Sequence, residues 1–327
     1  MQEILKETAP KEEFPHLHFS LKSIRWKIDD LARKSTGLIS LITSLLVPAI
    51  ALVLVIRAWP ILSSKPVQEQ LLGTNWQPYQ GFFGFLPFIM GTLWVTLLAM
   101  LIAVPPSLLT AMYLAEYAPS RLRSIIKPLI DLLAGIPSVV YGVWGVLVLV
   151  PLVEHSIAPF CRRFLGWLPF MSSENPTGYG ILSGGLILAV MVFPIIISVA
   201  EEVLHVVPHG LREASLALGA THWQTTKHIV LRRALPGVAA AVVLGFSRAF
   251  GETMAVMMVV GNIPQLPHSL FDAAYPLTAL IANNYGEMLS VPLYDSALLT
   301  AALILLIVVL IFNVLSRLVL LRLHRYQ

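Results

Sequence analysis

EEVLHVVPHGLREASLALGATHWQTTKHIVLRRALPG, residues 201–237, is a polar insert between two hydrophobic runs, each long enough to cross a bilayer. Pro208 and Gly210 break the helix before it, residues 211–218 carry a helical pattern, Gly219 permits a turn, and residues 223–230 begin again. The reading is a helix, an elbow and a helix. Such an insert is too polar for lipid and too patterned for a slack connector, so its apolar side is expected to pack on its own bundle or on another protein. Pattern alone leaves both open.

The flanking runs belong to a chain that is apolar throughout. Of 327 residues, 57% are hydrophobic and 12% charged, where a soluble domain would carry about 25% charged residues; the mean hydropathy is +0.77. This is the composition of an integral membrane protein. The formal net charge of +4 is spread beside the apolar runs and gathers on no basic face, which gives no footprint for nucleic acid. Cys161 is the lone cysteine and excludes an internal disulfide framework.

Six spans are expected. Residues 1–36 mix acidic and basic side chains, lack the apolar core of a cleavable signal peptide, and read as a cytoplasmic tail before a permease domain over 37–327. Residues 37–58 supply the first span, and residues 86–117 the second, with Pro105 and Pro106 expected to kink it. The third runs from about residue 129 to 153, interrupted near its start by Gly135 and Pro137, a break tolerated only against protein or water. The fourth is residues 180–200, the fifth 236–262 and the sixth 296–320, with residues 60–85, 154–179 and 263–295 as connectors.

Basic residues set the orientation, because Lys and Arg are retained on the cytoplasmic side. The tail, Arg121, Arg123 and Lys127, then Arg212, Lys227, Arg232 and Arg233, and finally Arg317, Arg322 and Arg325 fall together. Opposite lie Arg57, Lys65, Arg162 and Arg163, while residues 263–295 carry no Lys or Arg. Both termini and the 201–237 loop are therefore expected in the cytoplasm.

Within the loop, Glu213, Ala214 and Ser215, then Gly219, then Ile229 and Leu231 resemble the EAA loop of ABC-importer permeases. The segments LLAGIPSVVYGVWG (132–145), ALGATHWQT (217–225) and SRAFGETMAVMMVVGN (247–262) are similar to the phosphate-specific permease family, in its PstC type more than its PstA type, over roughly residues 81–320. One departure is that the family loop usually ends in Leu-Pro, whereas Leu231 is followed here by Arg232, with Pro236 further on. The resemblance implies an all-α polytopic fold of the type I ABC importer kind, in the bacterial cytoplasmic (inner) membrane, carrying inorganic phosphate inward. It implies as partners a second, PstA-like permease, two PstB-like ATPase subunits and an extracytoplasmic PstS-like phosphate-binding protein, besides membrane lipids. Glu213, Ala214, Gly219 and Trp223 would then couple to the ATPase. No Gly-x-x-x-x-Gly-Lys-Ser/Thr run occurs, so no cofactor is expected in this chain and ATP is used by the partner.

Arg248 is the basic residue expected deepest in the membrane, twelve residues after Pro236 and so about 18 Å along a helix, with Glu252 one turn on. Both fall near Ala241, Gly237 and Gly245 on a small-residue stripe, which favours close helix approach. Intramembrane charges are costly and tend to line pathways, so Arg248 and Glu252 are candidate pathway residues, against the plainer reading of a pair that satisfies itself. Ser138 and Tyr141 follow Pro137, where a restarting helix would turn backbone donors toward an anion; the same residues could mark an ordinary kink. His16 and His18 have no third ligand nearby, and Pro208 spoils helical spacing between His205 and His209, so no metal site and no catalytic set is expected. Rivals are a permease for molybdate or sulfate and, from another class, an ion-coupled secondary transporter or channel, for which no inverted repeat is visible.

Overall fold

A computed structural model describes residues 15–171, 177–287 and 291–324. The first fourteen residues of the expected tail lie outside the described residues. Two units are resolved, one ending at Val53 and one beginning at Leu54. Among its described residues the first is helix α1 (Pro15–Leu62) as far as Val53, and it includes most of the stretch read as a first span, residues 37–58. Leu38, Ile42, Leu45 and Leu52 are all exposed on it. An apolar stretch exposed throughout residues 31–50 is one that lipid solvates.

The second unit opens with α2 (Val67–Leu72) and a small hairpin, β1 (Trp76–Gln77) with β2 (Phe82–Phe83), turned at Gly81 in the left-handed conformation, φ 72°. Helix α3 (Leu86–Glu116) runs with Pro105 and Pro106 inside it. Next come α4 (Ser120–Ala134), α5 (Ser138–Trp144), a π turn (Gly145–Leu149), α6 (Val150–Leu152), a second π turn (Val153–Ile157) and α7 (Ala158–Leu165). Helix α8 (Ile181–His205) leads into the loop, made of α9 (His209–Ala217) and α10 (His222–Thr225), and a π turn (Thr226–Val230) passes into α11 (Leu231–Phe250). The chain closes with α12 (Met254–Val259), α13 (Leu277–Asn284) and α14 (Tyr294–His324). Among the described residues, six helices are long and apolar enough to cross a membrane.

Helices α3 and α8 form the centre and run parallel. Bare glycines allow their approach: Gly184 receives Val95, and Gly185 receives Leu98. Helix α11 runs antiparallel to α8 and also meets α3, with Gly237 against Val203 and Gly245 against Ile196 and Val192. Ala234, Val238, Ala241 and Ala249 are buried along the same stripe, so the small residues face protein as expected.

Three expectations need correction. The third span does not form one helix from residue 129: α4 climbs beside α8, with Lys127 bonded to Glu201 and Asp131 to Ser198, and the chain restarts at Ser138 and stays helical to Leu165. Pro137 lacks an N–H and sits extended at ψ 139°, which is why the helices separate there. The fifth span begins earlier than Pro236, at His222, and ends earlier, at Phe250, before α12 resumes. Residues 263–295 are more than a connector, since Phe271, Ala274, Leu277 and Leu280 are buried. A bridge between Gly261 and Ala274 folds the segment back, and the Leu277 N–H donates to Thr92 Oγ1 at 2.9 Å.

Candidate functional site

The 201–237 loop is built as the helix, elbow and helix the sequence suggests, and it leaves apolar side chains uncovered. Residues 201–205 complete α8, Pro208 starts α9, and Gly219 turns the chain at φ 85°. Thr221 then caps α10: the Gln224 N–H donates to Thr221 Oγ1 at 3.3 Å, and the Thr221 N–H donates to Gln224 Oε1 at 2.9 Å. The arms are tied by Ser215 and Thr225, whose hydroxyls lie 2.9 Å apart. Glu213, Ala214, Gly219 and Trp223 are all exposed on this projection. So are Val206, Leu216 and Leu218, the last at 89%. Apolar side chains bared on a polar loop mark a contact surface.

No break follows Leu231. Arg232 is helical, and Pro236 lies inside α11, where its missing N–H frees the Arg232 carbonyl without ending the helix. His205 ends α8 and His209 opens α9, with ring centroids 6.4 Å apart and Arg123 Nη1 lying 3.1 Å from His205 Nδ1.

The base of the loop is held by charges. Glu201, 2% exposed, accepts from Lys127 at 3.0 Å and pairs with Arg123, joining α8 to α4. Arg212 of α9 pairs with Glu116 at the end of α3 at 2.6 Å. Neither pairing is visible in the sequence. Each residue was legible as a charge beside an apolar run, but partners 74 and 96 residues apart follow from no local pattern.

Higher in the bundle, two spans are broken side by side. Helices α5 and α12 run parallel, for a Cβ at Gly142 would meet Ala255 Cα at 3.2 Å, and one at Gly145 would meet Val259. That register carried four residues back places Ser138 at the height of Gly251, so the restarts after residues 135–137 and 251–253 are neighbours. Tyr141 is buried in the cluster that includes Ala255 and Val259, and its hydroxyl donates to the Leu133 carbonyl across the break at 2.9 Å. Gly251 and Glu252 lie outside helix, and Glu252 Oε1 accepts from the Ala255 N–H at 3.4 Å. Its carbonyl accepts from Thr278 Oγ1 at 3.0 Å, a partner supplied by the folded-back segment and missed by sequence reasoning.

Arg248 is exposed in the last turn of α11. The self-satisfying ion pair of the plainer reading is not formed between Arg248 and Glu252 among the described residues, because the helix ends between them and the one-turn spacing no longer applies. Ser138, Tyr141 and Glu252 are thus brought to one level, with Arg248 just below. The cleft lined by Thr92, Thr96, Leu188, Glu252 and Thr278 encloses about 10 Å³, room for about one water and not for an oxyanion.

Comparison with known proteins gives the same architecture. The family described as binding-protein-dependent transport system inner membrane component matches residues 107–325. The phosphate transport system permease protein PstC of Xylella fastidiosa is 44% identical over 257 residues, covering 78% of this chain and 79% of that protein. The protein of the same name from Haemophilus influenzae is 37% identical over 301 residues, covering 91% and 95%. Among solved structures, the inward-facing MetNI methionine ABC transporter aligns with a TM-score of 0.51 at 20% identity, covering 71% of this chain and 93% of that one; at that identity the likeness speaks for the fold alone.

Proposed function

The chain belongs to the family of binding-protein-dependent transport system inner membrane components, and from that premise we propose that it carries inorganic phosphate through the membrane as the permease subunit of an ABC importer. It is a multi-pass inner membrane protein, and ATP hydrolysis belongs to a separate subunit. The observation that carries the cargo is the placement of Arg248 at the broken fifth span, beside the restart at Ser138, in a chain 44% identical to a phosphate permease. A guanidinium at such a height is held at low cost only beside protein, water or an anion.

In this reading Arg248, Ser138, Tyr141 and Glu252 line the pathway. The exposed face of Glu213, Ala214, Gly219 and Trp223 receives the ATPase. The assembly holds a second, PstA-like permease, two PstB-like ATPases and a PstS-like binding protein on the extracytoplasmic side. Both termini are cytoplasmic, on the side of the basic residues. No cofactor resides in this chain; ATP acts in the partner.

The deciding experiment reconstitutes the copurified complex in liposomes and asks which oxyanion, added with its binding protein, stimulates ATP hydrolysis. Phosphate is the expected stimulant, and stimulation by molybdate or sulfate with no response to phosphate would overturn the cargo.

Coupling at the elbow can be tested separately. A Cβ at Gly219 meets nothing within 4 Å, so a substitution there costs only the left-handed backbone at φ 85°, on the order of 1–2 kcal/mol for a β-branched residue. Gly219→Val is therefore expected to leave insertion intact and to lower ATPase copurification and uptake together several-fold. Full recovery of both would remove the elbow from the coupling route.

A further inference from the structure

Helix α9 carries Glu213 and Ala214, yet none of its residues is buried. A short helix without a buried face is not fixed by apolar packing, and one side chain, Arg212, bonds this one to the ends of α3 and α8. Arg212 Nε donates to Glu116 Oε1 and Oε2 at 3.2 and 3.1 Å, and Nη2 donates to Oε1 at 2.6 Å. Nη2 also reaches the Leu204 carbonyl at 2.9 Å, and Nη1 the Val207 carbonyl. The side chains of Arg212 and Glu116 are 13% and 3% exposed. Leu204 lies in the last turn of α8 and Val207 two residues past its end at His205, where the helix C-terminus favours a cation. One planar fork thus grips the end of α3 and the end of α8 at once, a geometry that an ammonium cannot reproduce.

The second arm of the loop is joined to α9 by the hydroxyl pair of Ser215 and Thr225, the Ala220 N–H donating to the Ser215 carbonyl at 3.3 Å, and the turn at Gly219. Beyond the grip, Glu201 of α8 continues the connection to Arg123 and Lys127 of α4, and α4 ends at the break before Ser138.

We propose that Arg212 is the positioning residue that transmits displacement of α9 to α3 and α8, and through Glu201 to α4 and the broken third span. This rests on the reading of the loop as an ATPase contact.

The test uses the reconstituted complex with ATPase, second permease and binding protein, and reads phosphate moved per ATP hydrolysed, a ratio that a change in stability alone does not alter. Arg212→Met alone leaves a buried carboxylate without its cation and is expected to impair assembly. With Glu116→Gln added, no lone charge remains; assembly is expected to return to within about twofold of wild type, while the ratio falls about tenfold. Arg212→Lys keeps the charge but not the fork, and is expected to assemble normally and lose about threefold in the ratio. Wild-type ratios in both variants overturn the proposal, and so does failure of both to assemble, which would make the grip purely structural. A wild-type complex that moves sulfate or molybdate instead changes the cargo in which the ratio is read and corrects the function, with the role of Arg212 judged by the same comparison.

Discussion

Arg248→Ala is expected to reduce phosphate uptake by at least a hundredfold in a complex that inserts and assembles like wild type. The side chain is exposed and makes no ion pair with Glu252 among the described residues, so its loss strands no buried carboxylate. Glu252 keeps the Ala255 N–H as a donor to its side chain and Thr278 as a donor to its carbonyl. What the variant removes is a positive charge beside two broken spans, where the low dielectric makes one charge worth several kcal/mol to a passing anion, and about 2.7 kcal/mol is a factor of a hundred. Uptake is measured in vesicles holding equal amounts of assembled complex. Near-normal uptake would take Arg248 out of the pathway. Arg248→Lys separates charge from shape: partial uptake supports positive potential as the contribution, and none points to the planar fork as the anion's contact.

The parts of this architecture that a sequence displays are those dictated locally. A bilayer demands long apolar runs, so the spans were legible to within a turn or two at most ends. Pro208, Gly219 and the Thr221 cap fix the elbow by their own backbone chemistry, and the structure places the turn at Gly219. The fifth span shows where local reading stops. The helical ruler that paired Arg248 with Glu252 assumes an unbroken helix, and Gly251 followed by two non-proline residues gives only a weak sign of the break. Tertiary contacts complete it: Glu252 is held by Thr278, whose segment is anchored through Leu277 to Thr92, 185 residues away. The grip of Arg212 on Glu116 is non-local in the same way. Charges at the ends of apolar runs read equally well as orientation markers and as partners, and only the packing of α3, α8 and α9 selects between the two.

Gly245→Leu is expected to cut the yield of monodisperse protein at least fivefold. A Cβ at this position would lie 2.6 Å from Ile196 Cγ1 and 2.8 Å from Ile196 Cδ1, with Val192 Cγ1 at 3.0 Å. Gly245 is buried between Ala241 and Ala249 on the stripe that packs on α8. No rotamer of leucine avoids that face, and overpacking a closed helix contact costs about 1–3 kcal/mol, or more where neither backbone can retreat. Retreat is limited here, because α8 is also packed against α3 at Gly184 and Gly185. Gly210→Leu is the control, since a Cβ there meets nothing within 4 Å, and it should leave the yield unchanged. The sharper check adds Ile196→Ala to Gly245→Leu, exchanging volume across the contact. Recovery of at least half the lost yield identifies the α8–α11 approach as the cause, whereas no recovery would show that the leucine acts elsewhere than on Ile196.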